Sequence, residues 1–278
     1  MELQDLEDRA KSEAGERWYS MTKYARRKML SKLMVRDSQE NHIQALESLE
    51  MQGSAIRSVL ESETDADGFE WTKTLTNLSP KLLSFGVNSI TNTLATSDNL
   101  KRWGYIELDE KCELCGEPRP TITHVLSMCQ GALGKLDDSF NRVKWRHDRV
   151  LRKLYHGVKS CAEELGFKEC YVDLSGDPDE YKEFPVNLLI SEQRPDMIFV
   201  NRDRRQVVLA ELTVPMENRI DASHSLKLDK YSGIVSALGR SAWSARVFAV
   251  EISTRGFVAN SVAEFLRFME VARKMQYL

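Results

Sequence analysis

The stretch EQRPDMIFVNRDRRQVVLAELTVPMEN, residues 192–218, decides the fold. Two apolar runs rich in β-branched residues, MIFV at 197–200 and VVLAELTV at 207–214, flank the polar NRDRR at 201–205. That pattern predicts two adjacent strands joined by a tight turn. Asp196 opens the first strand just after Pro195, and Glu211 sits inside the second. A carboxylate inside VVLAELTV is expensive to bury unless it is paired or binds a metal. The turn brings Asp196 and Glu211 side by side, and such a pair suits Mg²⁺ or Mn²⁺ held through oxygen. A metal there lowers the pKa of a bound water and polarises a phosphodiester. The same acids also read as an ordinary strand-edge acid and a stray charge. Pattern alone leaves both readings open.

Outward from this stretch, FPVNLLIS (184–191) and SARVFAVEIS (244–253) are further short apolar runs bounded by polar turns. Helical stretches are expected at roughly 220–238 and 258–275. Strands alternating with helices predict an α/β layer fold with some parallel pairing. Just upstream, RVKWRHDRVLRKLYHGVKSCAEELG reads as one long amphipathic helix stopped by Gly166. His147, Leu151, Leu154, Val158 and Ala162 share its apolar face. Its basic residues Arg142, Lys144, Arg146, Arg149, Arg152 and Lys153 suit a nucleic-acid backbone, or simply form a solvated face.

Residues 1–62 contain no proline and are rich in helix formers, which predicts two or three helices. The basic run KYARRKMLSKLM at 23–34 could face nucleic acid, but reads best as a solvated helix face. The acidic ESETDADGFE at 61–70 reads as a linker. Over 71–108 short helices are expected, with Ser79-Pro80 and Ser97-Asp98 as starts and Gly104 as a stop.

The 278 residues carry a formal net charge of -3, which argues against a protein that coats nucleic acid non-specifically but not against a local basic groove. No basic and then apolar leader and no long apolar span is visible, so neither secretion nor membrane insertion is expected. Five cysteines, three of them clustered, favour a metal site in a reducing compartment, nuclear or cytoplasmic, over a disulfide framework.

The cluster is KCELCGEPRPTITHVLSMC, residues 111–129, with the spacing Cys112-x2-Cys115-x8-His124-x4-Cys129. Two cysteines two residues apart form a turn that aims both thiolates at one ion, with Gly116 supplying the tight backbone. His124 and Cys129 follow on a short helix. Four ligands close the shell, so the zinc is expected to be structural and to fold a segment too small for its own core. Cys161 and Cys170 lack such neighbours and read as core thiols.

The acid pair has the logic of the PD-(D/E)xK nucleases, which place a lysine two residues after the second acid. Here that position is Thr213. In DASHSLKLDKY (221–231), His224, Lys227 and Lys230 share a helix face, and a lysine from it would orient water or stabilise the pentavalent phosphate. The order of knuckle, WRHDRVLRKL, RPDMIFV, AELTVP and HSLKLDKY resembles the C-terminal region of non-LTR retrotransposon proteins that carry a restriction-like endonuclease. LSFGVNSITNTLATSDNLKRWG resembles the linker preceding the knuckle in those proteins.

The resemblance covers roughly residues 70 to 278. After the helical N-terminal region (1–70) read from composition, it implies a helical linker (71–110), a CCHC knuckle (111–131) and a restriction-like endonuclease domain (135–278). The last is a mixed sheet flanked by helices. It also implies Asp196 and Glu211 as magnesium ligands, Lys227 as the displaced catalytic lysine, and Lys230 with Tyr231 as its flanking pair. His147 and Asp148 match a segment of the preceding helix. No polymerase Tyr/Phe-x-Asp-Asp string occurs in the chain. The implied activity is Mg²⁺-dependent nicking of DNA, with RNA as a second candidate partner. The alternatives are a nucleic-acid-binding adaptor that has lost cutting, and a zinc-stabilised interaction module.

Overall fold

The computed structural model describes residues 3–61, 77–105, 111–118, 120–134, 141–185, 188 and 191–271. The expected linker at 61–70 lies almost wholly outside them.

The N-terminal helices are α1 (Leu3–Ala14), α2 (Arg17–Ser20), α3 (Lys23–Glu47) and α4 (Ser54–Glu61). The first three close on a small core of Leu6, Ala10, Trp18 and Leu33. Arg9 on α1 makes a two-pronged bond to the buried carboxylate of Asp37 on α3, at 2.7 and 2.8 Å. Next come α5 (Pro80–Ile90) and α6 (Ser97–Arg102). Ser79 caps α5 with Pro80 in its first turn, as the sequence predicts. For α6 the cap is Thr96, one residue earlier than expected, because its hydroxyl accepts from Asn99 N.

The long amphipathic helix is α7 (Arg142–Glu164). Leu151, Leu154, Val158 and Ala162 are all buried along one face. Gly166 ends it with φ +90°, and a Cβ there would lie 2.9 Å from Asn201 Nδ2. Only glycine serves both conditions.

The sheet holds β1 (Glu169–Val172), β2 (Met197–Asn201), β3 (Gln206–Thr213) and β4 (Ser244–Glu251), in that spatial order. β1 and β3 run antiparallel to β2, while β3 and β4 are parallel. A parallel neighbour needs a crossover, supplied by α8 (Ile220–Arg240). After β4 comes α9 (Asn260–Phe268). Of the expected strand at 184–191, residues 186–187 and 189–190 lie outside the described residues. Phe184 and Leu188 lie outside any strand and are buried beneath α8, and the sheet recruits residues 169–172 instead. ECYV is short and half polar, so its strand character comes from pairing with β2.

Helices cover both sheet faces. Met197, Phe199, Val208, Ala210 and Phe248 pack with α7 and α9. Ile198, Val200, Val207 and Leu209 pack with Tyr231, Ile234 and Leu238 of α8. Double coverage explains why β2 reads as an unbroken apolar run and not as an alternation.

Candidate metal centre and acid–lysine site

The knuckle is a tight turn followed by one π-helical turn, His124–Met128. Cys112 O accepts from Gly116 N at 2.8 Å, and Gly116 has φ +76°, so the loop folds back with both thiols on the same side. Cys112 Sγ lies 3.7 Å from Cys129 Sγ, and Cys115 Sγ lies 3.3 Å from His124 Nε2. All four ligand atoms fall within 4.8 Å of one another. A tetrahedron with Zn–S bonds of about 2.3 Å has edges of roughly 3.8 Å, so the donors fit structural zinc in both type and spacing. Among the described residues this is the only group of three or more His, Cys, Asp or Glu gathered so closely. Burial pushes the Cys112 thiol up, but the amides of Leu114 and Cys115 and the ring of His124 outweigh it and hold it at about 7. Arg146 on α7 donates to Leu126 O at 2.9 Å, tying the knuckle to the sheet-bearing part of the chain.

The second cluster lies where β2 begins and β3 ends. Antiparallel register pairs Met197 with Ala210, which places Asp196 opposite Glu211. Asp196 N donates to Glu211 Oε2 at 3.2 Å, and Asp196 Oδ2 accepts from Leu212 N at 2.7 Å. The strand alternation turns Glu211 towards α8. There Lys227 Nζ lies 2.6 Å and Lys230 Nζ 3.2 Å from its Oε1, and the Tyr231 hydroxyl lies 2.7 Å from Oε2. Glu211 therefore meets Lys227 and Lys230 directly, and Asp196 meets Glu211 through its backbone amide.

The two carboxyls have opposite environments. Burial, then the neighbouring Glu211 charge, pushes Asp196 above the usual carboxylate range against the pull of His147. Burial also penalises Glu211, but Lys227 and Tyr231 outweigh it and hold this carboxyl below that range. His147 is a contact of the site as well as a member of α7's inner face. Its Nε2 lies 3.3 Å from Asp196 Oδ2 and its Nδ1 3.1 Å from Asp148 Oδ1. Burial opposes its charge, yet the two aspartates raise it to about 9.

Sequence reasoning missed Glu251, Glu217 and Arg255, and it noted Thr213 only as a departure from the usual lysine. Glu251, the last residue of β4, is fully buried and bonds His224. Glu217 and Arg255 form a buried ion pair, with Arg255 Nε 2.9 Å from Glu217 Oε2. Thr213, in the usual lysine position, has a buried hydroxyl with no partner among the described residues. Glu251 carried a usable signal, because AVEIS embeds an acid in an apolar run just as VVLAELTV does.

The basic residues of α7 lie on its outer side. Arg142, Lys144, Arg149, Arg152 and Lys153 are exposed, as is Trp145, whose ring lies 5.8 Å from the Arg149 guanidinium carbon.

Residues 55–134 match the family model described as zinc-binding in reverse transcriptase. This matched segment runs from α4 through α5, α6 and the knuckle. With its Cys3His cluster, the zinc-binding segment points to a retroelement origin for that part of the chain. No curated protein matches the chain. No helix among the described residues is long and apolar enough to cross a membrane.

Proposed function

We propose that this chain is a retroelement-derived, metal-dependent DNA endonuclease of PD-(D/E)xK type. The observation that carries the reading is the meeting of Asp196, Glu211 and Lys227, with the lysine 2.6 Å from the second acid. A lysine brought by α8 occupies the place that the strand position gives to Thr213. The oxygen donors of Asp196 and Glu211 fit a hard divalent cation, Mg²⁺ or Mn²⁺. Such a cation supplies an activated water and charge neutralisation at a phosphodiester.

The protein's own residues do the rest. Asp196 and Glu211 would hold the cation, with Asp196 fixed by the Leu212 amide and Glu211 by Tyr231. Lys227 orients the attacking water and meets the charge that develops on phosphorus oxygens. Lys230 lies beside it on the same carboxylate and offsets the negative charge. The outer face of α7 holds the DNA backbone through its arginines and lysines, and the zinc knuckle steadies that helix through Arg146.

A supercoiled plasmid assay tests the reading. Nicking in Mg²⁺, none in EDTA, and loss of nicking in Asp196→Ala with DNA binding retained support it. Nicking that persists in Asp196→Ala sinks the site assignment. One observation favours a second reading, a nucleic-acid-binding protein without cutting: the strand position of the usual lysine is Thr213. Salt-dependent DNA binding with no nicking in either Mg²⁺ or Mn²⁺ selects it.

A further inference from the structure

Beside the acid–lysine site lies a second constructed arrangement that the proposed mechanism does not use. Glu251 ends β4 and pairs in register with Thr213 at the end of β3. In parallel strands such partners point to the same sheet face. Thr213 shares its face with Glu211, two residues earlier, so Glu251 also faces α8. His224 sits on α8 three residues before Lys227, one turn closer to the helix start. While Lys227 reaches Glu211, His224 reaches Glu251, with Nδ1 3.1 Å from Oε2. The hydroxyl of Ser261 on α9 donates to the same oxygen at 2.6 Å.

Glu251 is 0% exposed, and its Oε1 has no partner among the described residues. A carboxylate buried with one oxygen unsatisfied lowers stability, and an apolar residue would serve a purely structural role better. Its charge does have one consequence. An ionised carboxylate only accepts, so it fixes the His224 proton on Nδ1 and leaves Nε2 free. The His224 side chain is 38% exposed, and no hydrogen bond to its Nε2 is made among the described residues.

We propose that His224, positioned by Glu251 and Ser261, is a further phosphodiester-contacting residue of this site. The inference rests on the nuclease reading. Nε2 donates to a non-bridging oxygen of the DNA backbone next to the phosphate engaged by Lys227. Phosphate oxygens only accept, so in this contact Nδ1 donates to Glu251 and Nε2 donates to the phosphate. His224 contacts substrate, and Glu251 is a positioning residue acting through it.

The experiment uses the full chain, zinc-loaded, in two arms. In the first, nicking kinetics are measured for His224→Ala, His224→Gln, Glu251→Gln and the Ala/Gln double variant, with thermal unfolding as a check on folding. His224→Ala is expected to lose on the order of 10–100-fold in kcat/KM, as for the loss of one charge-assisted hydrogen bond. His224→Gln, which keeps a donor, recovers part of that loss. The double variant is no worse than His224→Ala alone, because the two residues act as a unit. In the second arm, imidazole ¹⁵N resonances are followed while duplex DNA is added without Mg²⁺ or Mn²⁺, so that the zinc stays bound and nothing is cut. The His224 Nε2 resonance is expected to move. Wild-type kinetics in His224→Ala, or an Nε2 resonance unmoved by bound DNA, overturns the proposal. If the wild type binds DNA but never nicks, the nuclease reading fails and the resonance alone decides the contact. Absence of DNA binding overturns both.

Discussion

Lys227 Nζ lies 2.6 Å from Glu211 Oε1, although 16 residues separate them and they occupy different layers of the fold. The parallel pairing of β3 and β4 obliges the chain to cross the sheet on α8, and that crossover lays the lysine over the acid. If this ammonium replaces the missing strand lysine, Lys227→Ala should lower nicking by about 10²–10³-fold, as for the loss of one preorganised donor to developing charge. It should also cost about 1–3 kcal/mol, because a charged hydrogen bond to a buried carboxylate is lost. Lys227→Arg should not restore the rate, since a planar fork cannot stand in for a compact ammonium. Full activity in the alanine variant would remove Lys227 from the site.

Asp196 yields a prediction of opposite sign. Burial and Glu211 raise its carboxyl above the unfolded value, so its ionised form opposes folding. That opposition grows as pH rises above the unfolded value and is present at neutral pH. Asp196→Asn should melt no lower than wild type at pH 7 without Mg²⁺ or Mn²⁺, and should abolish metal-dependent nicking. A sharp fall in Tm would show that the carboxylate is structural.

Zinc removal should act locally. The Cys112, Cys115, His124 and Cys129 segment lacks a core of its own, whereas the sheet is packed on both faces. One zinc per chain is expected by metal analysis, unchanged in Cys161→Ser and lost in Cys115→Ser. Proteolysis of the Cys115→Ser protein should cut first at 111–134 and leave the sheet domain intact. Global unfolding on chelation would contradict this division.

Arg255 joins the sheet domain to the helices before it. Its guanidinium pairs with Glu217, and Nη1 donates to Ser89 O on α5 at 3.0 Å. Arg255→Ala leaves Glu217 buried and uncompensated, at a cost of about 3–5 kcal/mol. Adding Glu217→Gln should recover much of that loss in denaturant titrations. Equal instability of single and double variants would refute the pairing as the cause.

Asp179 governs part of the acid sensitivity. Burial raises its carboxyl, but the bonds from Lys159 at 2.6 Å and Tyr155 at 2.7 Å prevail and hold it below its ordinary value. A depressed carboxyl contributes stability above its unfolded pKa of about 3.9, and that stability is lost as pH falls through the folded value. Asp179→Asn should therefore be less stable at neutral pH and show a flatter decline below pH 4. Parallel curves for the two proteins would exclude this contribution.

The local chemistry of the chain was written in its residues. The knuckle spacing states its ligands because four donors within 18 positions close on themselves through one turn and one short helix. β2 and β3 announced themselves by apolar runs around a polar turn, and the hairpin register alone sets Asp196 against Glu211. The apolar face of α7 was equally visible. Other features depended on tertiary structure. ECYV became a strand because β2 offered a partner, while Phe184 and Leu188 of the more apolar FPVNLLIS went to packing beneath α8. Lys227 over Glu211, His224 over Glu251 and Arg255 against Glu217 each join residues from different elements. Their pairing follows from the crossover and the layer packing, which no local spacing encodes.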